Sequence, residues 1–336
     1  MRVGKVIKFG CLGVLGVLIV AAIGIWIWKP WSSMVPALMS DPSPIGQRIE
    51  QGELLANYYP VEGTESGPGI LLIGGSEGAL GAEMTRLAKA LNAEGFSVLH
   101  QSYWRAPGQA QKLERIPLER FMEGLRFLRS RSEVDAENVA MMGWSRGSEA
   151  TQLVAIRDPQ LKAIVLGMPG SAVYPGFSWE APWATFESAW TWKGKDLPFL
   201  DFSDLGSFFS SAEEFKETKR QILKRQDEFP ETNIPVEEAQ SAVLLICGGR
   251  DVVWDSCPMA RRQIDRLEAA GREDAELLSY EDAGHLAFGA PIEPDDPAYA
   301  QLSMLGGTVE ANTTALDDAF PKMVAFLKRN LNDEGD

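Results

Sequence analysis

Ser145 stands between two glycines in Gly143-Trp144-Ser145-Arg146-Gly147, directly after the apolar run Val139 to Met142 and before apolar residues at helical spacing from Ser148 to Ile156. The G-x-S-x-G pattern at a strand-to-helix junction makes a serine hydroxyl a nucleophile. The serine is held on a strained turn, and positions two before and two after must lack bulk so that strand and helix can meet. Gly143 and Gly147 meet that demand. A serine also needs a base and an orienting acid. The chain has two histidines, His100 and His285, and only His285, in "YEDAGHLAF", follows the serine. It comes directly after an apolar strand candidate, where a base belongs in the chain order Ser, acid, His. For the acid, "LLICGGRDVVWDS" puts Asp251 just past a strand, with Asp255 and Asp282 as rivals; the G-x-x-D turn favours Asp251. His100, within a strand candidate, reads as a structural histidine.

The developing oxyanion requires two backbone N–H groups. The Arg146 amide follows the nucleophile, and the glycine-rich "GGSEGAL" at 74–80 supplies the second through Ser76 or its neighbour Glu77. A triad of this kind calls for no metal and no cofactor.

These residues need a scaffold that places them at one edge of a sheet. Strand-like segments are "ELLANYYPV" (53–61), "GILLIGG" (69–75), "FSVLHQSYW" (96–104), "NVAMMG" (138–143), "KAIVLGMP" (162–169), "SAVLLICGG" (241–249) and "AELLSY" (275–280). Helical periodicity falls between or after them at 82–93, 117–130, 148–157, 258–270 and 315–331. Strands alternating with helices specify a mostly parallel, doubly wound sheet, and with the serine turn the expectation is an α/β-hydrolase fold. Residues 171–236 interrupt the alternation. They carry Trp179, Trp183, Trp190 and Trp192 among many phenylalanines without a clear strand, and read as an aromatic-rich cap inserted over Ser145.

The 336 residues are 45% hydrophobic, enough for a large core, and the net charge is −15. No broad basic stripe is available to neutralise phosphates, which excludes nucleic acid as a partner. Arg105, Lys112, Arg115 and Arg146 could form a local basic patch or be ordinary solvated charges. Cys11, Cys247 and Cys257 have neither a metal-ligand spacing nor a disulfide framework. Cys247 reads as a buried thiol, with a bridge to Cys257 left open.

Phe9 to Trp28 is free of charge, long enough to span a bilayer, preceded by Arg2, Lys5 and Lys8 and followed by Lys29. It reads as an uncleaved single-pass anchor over residues 1–29. The excess of basic residues before the span puts residues 30–336 outside the cytoplasm. The Pro- and Ser-rich stretch at 30–50 reads as a tether and 51–336 as the catalytic domain.

Six segments in order, "LLIGGSEGALG", "QSYWRAPG" with "LERIPLERFMEGLRFLRS", "VAMMGWSRGSEATQL", "IPVEEAQSAVLLICGGRDVVWDS", "DAGH" and "GGTVEANTTALDDAFPKMVAFLKRNL", resemble the C-terminal catalytic domain of acyl-CoA thioester hydrolases and bile acid-CoA:amino acid N-acyltransferase. The resemblance runs from about residue 69 to 331 and implies a nucleophile at Ser145, an acid at Asp251 and a base at His285. The family's conjugating branch uses cysteine and many of its thioesterases use serine, so the resemblance implies hydrolysis. Leu286, Ala287 and Phe288 after the histidine depart from the family's polar continuation.

The expected function is therefore a serine hydrolase acting on a small-molecule acyl thioester or carboxylic ester through an acyl-enzyme. An acyltransferase or peptidase would use the same triad. A non-catalytic binding module on the same fold is the alternative of a different class, and its mark would be a lost triad member.

Overall fold

A computed structural model of the chain describes residues 37–331 except 64–65, 182–183, 185 and 202–211, together with 16–17, 19–21 and 23–24. Eight strands form the main sheet: β1 (Gln47–Gln51), β2 (Leu54–Tyr59), β3 (Gly67–Ile73), β4 (Ser97–Ser102), β6 (Val134–Trp144), β7 (Ala163–Gly167), β10 (Ala242–Gly248) and β11 (Ala275–Tyr280). Their order is β1-β2-β4-β3-β6-β7-β10-β11. The pairs β1–β2 and β2–β4 are antiparallel, and every pair from β4 to β11 is parallel.

The central strands are apolar runs because both their faces are covered. Alternate residues serve opposite cores: Leu71, Met141 and Leu245 pack on one side, Leu72, Met142 and Leu244 on the other. The first face is covered by α2 (Glu119–Arg129), α3 (Arg146–Ala155) and α5 (Ser256–Ala269), through Leu125, Leu153 and Leu267. The second carries α1 (Ala82–Ala93) and α6 (Val309–Leu331), through Leu87 and Phe326. This is the α/β-hydrolase arrangement expected from the alternation.

Three features differ from the sequence reading. Residues 47–50, assigned to the tether, form with Gln51 the edge strand β1, whose single aliphatic residue Ile49 is buried. The insertion contains strands after all: β8 (Trp190–Trp192) and β9 (Lys195–Asp196) join β5 (Ile116–Pro117) in a second, three-stranded sheet. Each is too short to carry a periodicity, and β8 pairs both with β9 beside it and with β5, a segment far away in sequence. Helix α6 begins at Val309 and continues through Pro321. The insertion also holds α4 (Ala212–Glu228).

The anchor expected over Phe9 to Trp28 lies outside the described residues, apart from a few helical positions between 16 and 24. Among the described residues no helix is long and apolar enough to cross a membrane.

Candidate active site

Strand β6 ends at Trp144 and helix α3 begins at Arg146, leaving Ser145 alone on the turn with φ 55° and ψ −122°. A non-glycine residue in this region is strained and is held there only by its surroundings. The glycines on either side explain how. A Cβ on Gly143 would run into the Gly147 carbonyl and the Thr151 hydroxyl, and one on Gly147 into the Gly74 carbonyl. Strand, helix and the loop after β3 thus meet at backbone distance around the serine.

His285 follows β11 and reaches back across the sheet edge. Its Nε2 lies 2.9 Å from Ser145 Oγ and its Nδ1 2.7 Å from Asp251 Oδ2. A carboxylate accepts, so Nδ1 carries the proton and Nε2 is left as the acceptor for the serine hydroxyl. The other Asp251 oxygen accepts the amides of Val253 at 2.8 Å and Trp254 at 3.2 Å, which fixes the carboxylate in the turn after β10. The Leu305 carbonyl accepts the His285 amide, and the His285 carbonyl accepts Trp144 Nε1. The Trp144 and Trp254 rings pack beside the imidazole. Ser145, Asp251 and His285 are all buried, at 4%, 6% and 2% exposure.

The rival acids are engaged elsewhere. Asp255 pairs with Lys219 at 3.3 Å, and exposed Asp282 faces Arg250 at 3.5 Å. His100 is buried in β4 beside the Thr85 hydroxyl, and burial pushes its pKa down to about 3, so it stays neutral.

The loop after β3 packs on Ser145: a Cβ on Gly75 would lie 2.8 Å from the serine Cβ. The amides of Arg146, Ser76 and its neighbour Glu77, the expected oxyanion donors, donate to no acceptor among the described residues. The carbonyls of Gly74 to Glu77 are taken: Tyr103 Oη donates to Gly74 and Gly75, Trp104 Nε1 to Gly75, Trp179 Nε1 to Ser76 and Arg105 Nη1 to Glu77.

The Arg146 side chain turns into the insertion. Its Nε meets Glu149 at 2.8 Å and its Nη2 donates to the Tyr174 and Pro175 carbonyls. Glu149 also accepts the Tyr174 amide and Trp190 Nε1. Burial outweighs the arginine and pushes the Glu149 pKa up to about 7. Lys112 pairs with Glu114 and Arg115 with Asp196. The four cations named from the sequence therefore make no common patch.

The sequence reading left the Cys247–Cys257 pairing open, and the structure joins the two cysteines in a disulfide. It ties the end of β10 to the first turn of α5 across the loop that bears Asp251. Lys219, from α4 of the insertion, donates to the Asp251 carbonyl. Sequence reasoning did not single out Lys219, Glu149, Tyr103 or Trp179 for these contacts.

The profile of the family described as BAAT / Acyl-CoA thioester hydrolase C terminal matches residues 116–333. Mouse acyl-coenzyme A amino acid N-acyltransferase 1 is 25% identical over 302 residues, 86% of this chain and 66% of that protein. Mouse acyl-coenzyme A thioesterase 5 is 26% identical over 291 residues, 84% and 65% respectively. The chain thus spans just under two thirds of the length of these relatives. Among solved structures, an esterase of Pyrococcus furiosus superposes with TM-score 0.54 at 13% identity, covering 88% of this chain and 97% of that one. A dienelactone hydrolase-like phosphotriesterase from metagenomic libraries gives 0.52 at 16%, covering 85% and 98%. At these identities the structures speak for the fold alone.

Proposed function

The chain belongs to the BAAT / acyl-CoA thioester hydrolase C-terminal family, and on that premise we propose that it is a serine hydrolase of acyl thioesters or carboxylic esters. The observation that carries the reading is the hydrogen-bonded chain from Ser145 Oγ through His285 to Asp251. Ser145 Oγ attacks the acyl carbonyl while His285 Nε2 takes its proton, and Asp251 holds the imidazolium that forms. The Ser76 and Arg146 amides receive the oxyanion. Collapse expels the leaving thiolate or alkoxide, which leaves protonated by His285. A water then attacks the acyl-enzyme, gives its proton to His285, and the acid departs as the proton returns to Ser145.

Both acyltransferases and thioesterases occur among the relatives. Serine at the nucleophile position supports water as the acceptor here, as in the family's hydrolytic branch. Comparing acyl-CoAs with aryl esters, with Ser145→Ala as control, tests the substrate. Thioester turnover makes the protein a thioesterase, ester turnover alone makes it a carboxylesterase, and neither overturns the proposal.

The catalytic domain is, in this reading, anchored by residues 9–28 and faces away from the cytoplasm. Support comes from the uncharged run, the basic residues before it and the Cys247–Cys257 disulfide, a bond that persists in oxidising compartments. Protease digestion of sealed membranes tests it: a C-terminal tag destroyed only when the cytoplasmic side is exposed contradicts it.

A further inference from the structure

Glu77 is a carboxylate beside the nucleophile that the steps above leave unused. The residue keeps part of its surface, yet its side chain is laid along Gly74, Gly75 and Gly81, where any Cβ would meet it. Both its oxygens accept the Gly75 amide, at 3.0 and 2.9 Å. We propose that Glu77 is a positioning residue for the oxyanion hole, taking up the Gly75 amide and fixing the 74–78 turn so that the Ser76 amide stays directed to the substrate oxygen. This rests on Ser145 being the nucleophile.

Peptide planarity supplies the direction. In a trans peptide the N–H points opposite to the preceding carbonyl. The Gly75 carbonyl is drawn toward Tyr103 and Trp104, so the Ser76 N–H must point away from them. The Gly74 carbonyl is drawn toward Tyr103 as well, which sends the Gly75 N–H to the Glu77 carboxylate. The Gly78 amide turns back to the Gly75 carbonyl. Of the successive amides from Gly75 to Gly78, those of Gly75 and Gly78 are taken, and among the described residues those of Ser76 and Glu77 have no acceptor. The loop itself lies against Ser145. Without Glu77, the Gly75 amide would compete with that of Ser76, and a turn containing Gly74, Gly75 and Gly78 has the backbone freedom to let it.

The test uses the full-length protein in detergent with p-nitrophenyl butyrate, comparing Glu77→Ala, Glu77→Gln, Glu77→Asp and Ser145→Ala. Glu77→Ala is expected to lose kcat on the order of 10²-fold with KM held within about threefold, the cost of a displaced transition-state contact. Glu77→Gln retains an oxygen that accepts the Gly75 amide and is expected to keep kcat within about tenfold of wild type on the same ground. Glu77→Asp, one methylene short of the amide, should behave as the alanine variant and serves where alanine does not fold. Folded Glu77→Ala or Glu77→Asp with unchanged kcat overturns the proposal, as does an equal loss in the glutamine variant. Turnover surviving in Ser145→Ala instead overturns the nucleophile assignment beneath it.

Discussion

Asp251 holds His285 through a 2.7 Å contact to Nδ1 while its second oxygen is tied to the amides of Val253 and Trp254. An acid fixed on both sides can hold the imidazole in one tautomer. Asp251→Asn, which can donate where it must accept, is predicted to lower kcat on the order of 10⁴-fold. Asp282→Asn, on an exposed pair with Arg250, should leave it unchanged. Steady-state kinetics on an ester checks both, and a silent Asp251→Asn removes Asp251 from the mechanism.

Gly147→Ala places a methyl against the Gly74 carbonyl. Backbone cannot yield as a side-chain end can, so a destabilisation of about 1 to 3 kcal/mol or more is expected, together with loss of turnover as the Ser145 turn shifts from the oxyanion loop. Urea denaturation measures the first, and an unchanged midpoint would contradict the close packing at the elbow.

The pH dependence of stability carries a sign that separates buried groups. Glu149 has a pKa raised to about 7 from 4.5 because burial disfavours its charge. Between these values the folded state binds the extra proton, so this group's contribution falls as pH rises through the window and then levels off. His100, lowered to about 3 from 6.5, acts in the opposite sense, and its contribution is lost as pH falls below 6.5. The net slope mixes the two, but a difference does not. Glu149→Gln should gain stability relative to wild type between pH 5 and pH 7.5, and a gap that stays constant in paired urea titrations would contradict the buried, protonated carboxyl.

The Cys247–Cys257 disulfide closes a short ring that contains the acid. A bridge over a ring of this size contributes about 2 to 4 kcal/mol. Cys257→Ser should therefore unfold at lower urea, and turnover should fall as the Asp251 loop loosens. Wild type treated with a reductant should follow it. Equal stability and turnover with and without the bridge would show that the loop is held by Lys219 and the Asp251 turn without it.

The site was legible in the sequence where chemistry coincides with order along the chain. One serine between spaced glycines, one later histidine and one aspartate after an apolar strand meet in space because parallel strands deliver all their following loops to one edge. The parallel core strands were legible because apolar runs buried on both faces announce themselves. Strand β1 was not, since an edge strand with one aliphatic residue, Ile49, has no pattern to read. Nor was β8, three residues long and paired with the two-residue β9 and with distant Ile116 and Pro117. The Arg146–Glu149–Trp190 contacts and the grip of Glu77 on Gly75 were hidden for a related reason: charged residues near glycines read as solvated until the fold closes over them.

The most direct test of the account is covalent: treat the full-length protein with a fluorophosphonate, which phosphonylates only an activated serine, and locate the adduct by peptide mass spectrometry. The account predicts a single adduct on Ser145, absent from Ser145→Ala and strongly slowed in a folded His285 variant. No adduct, or one on another serine with hydrolysis intact, would contradict it.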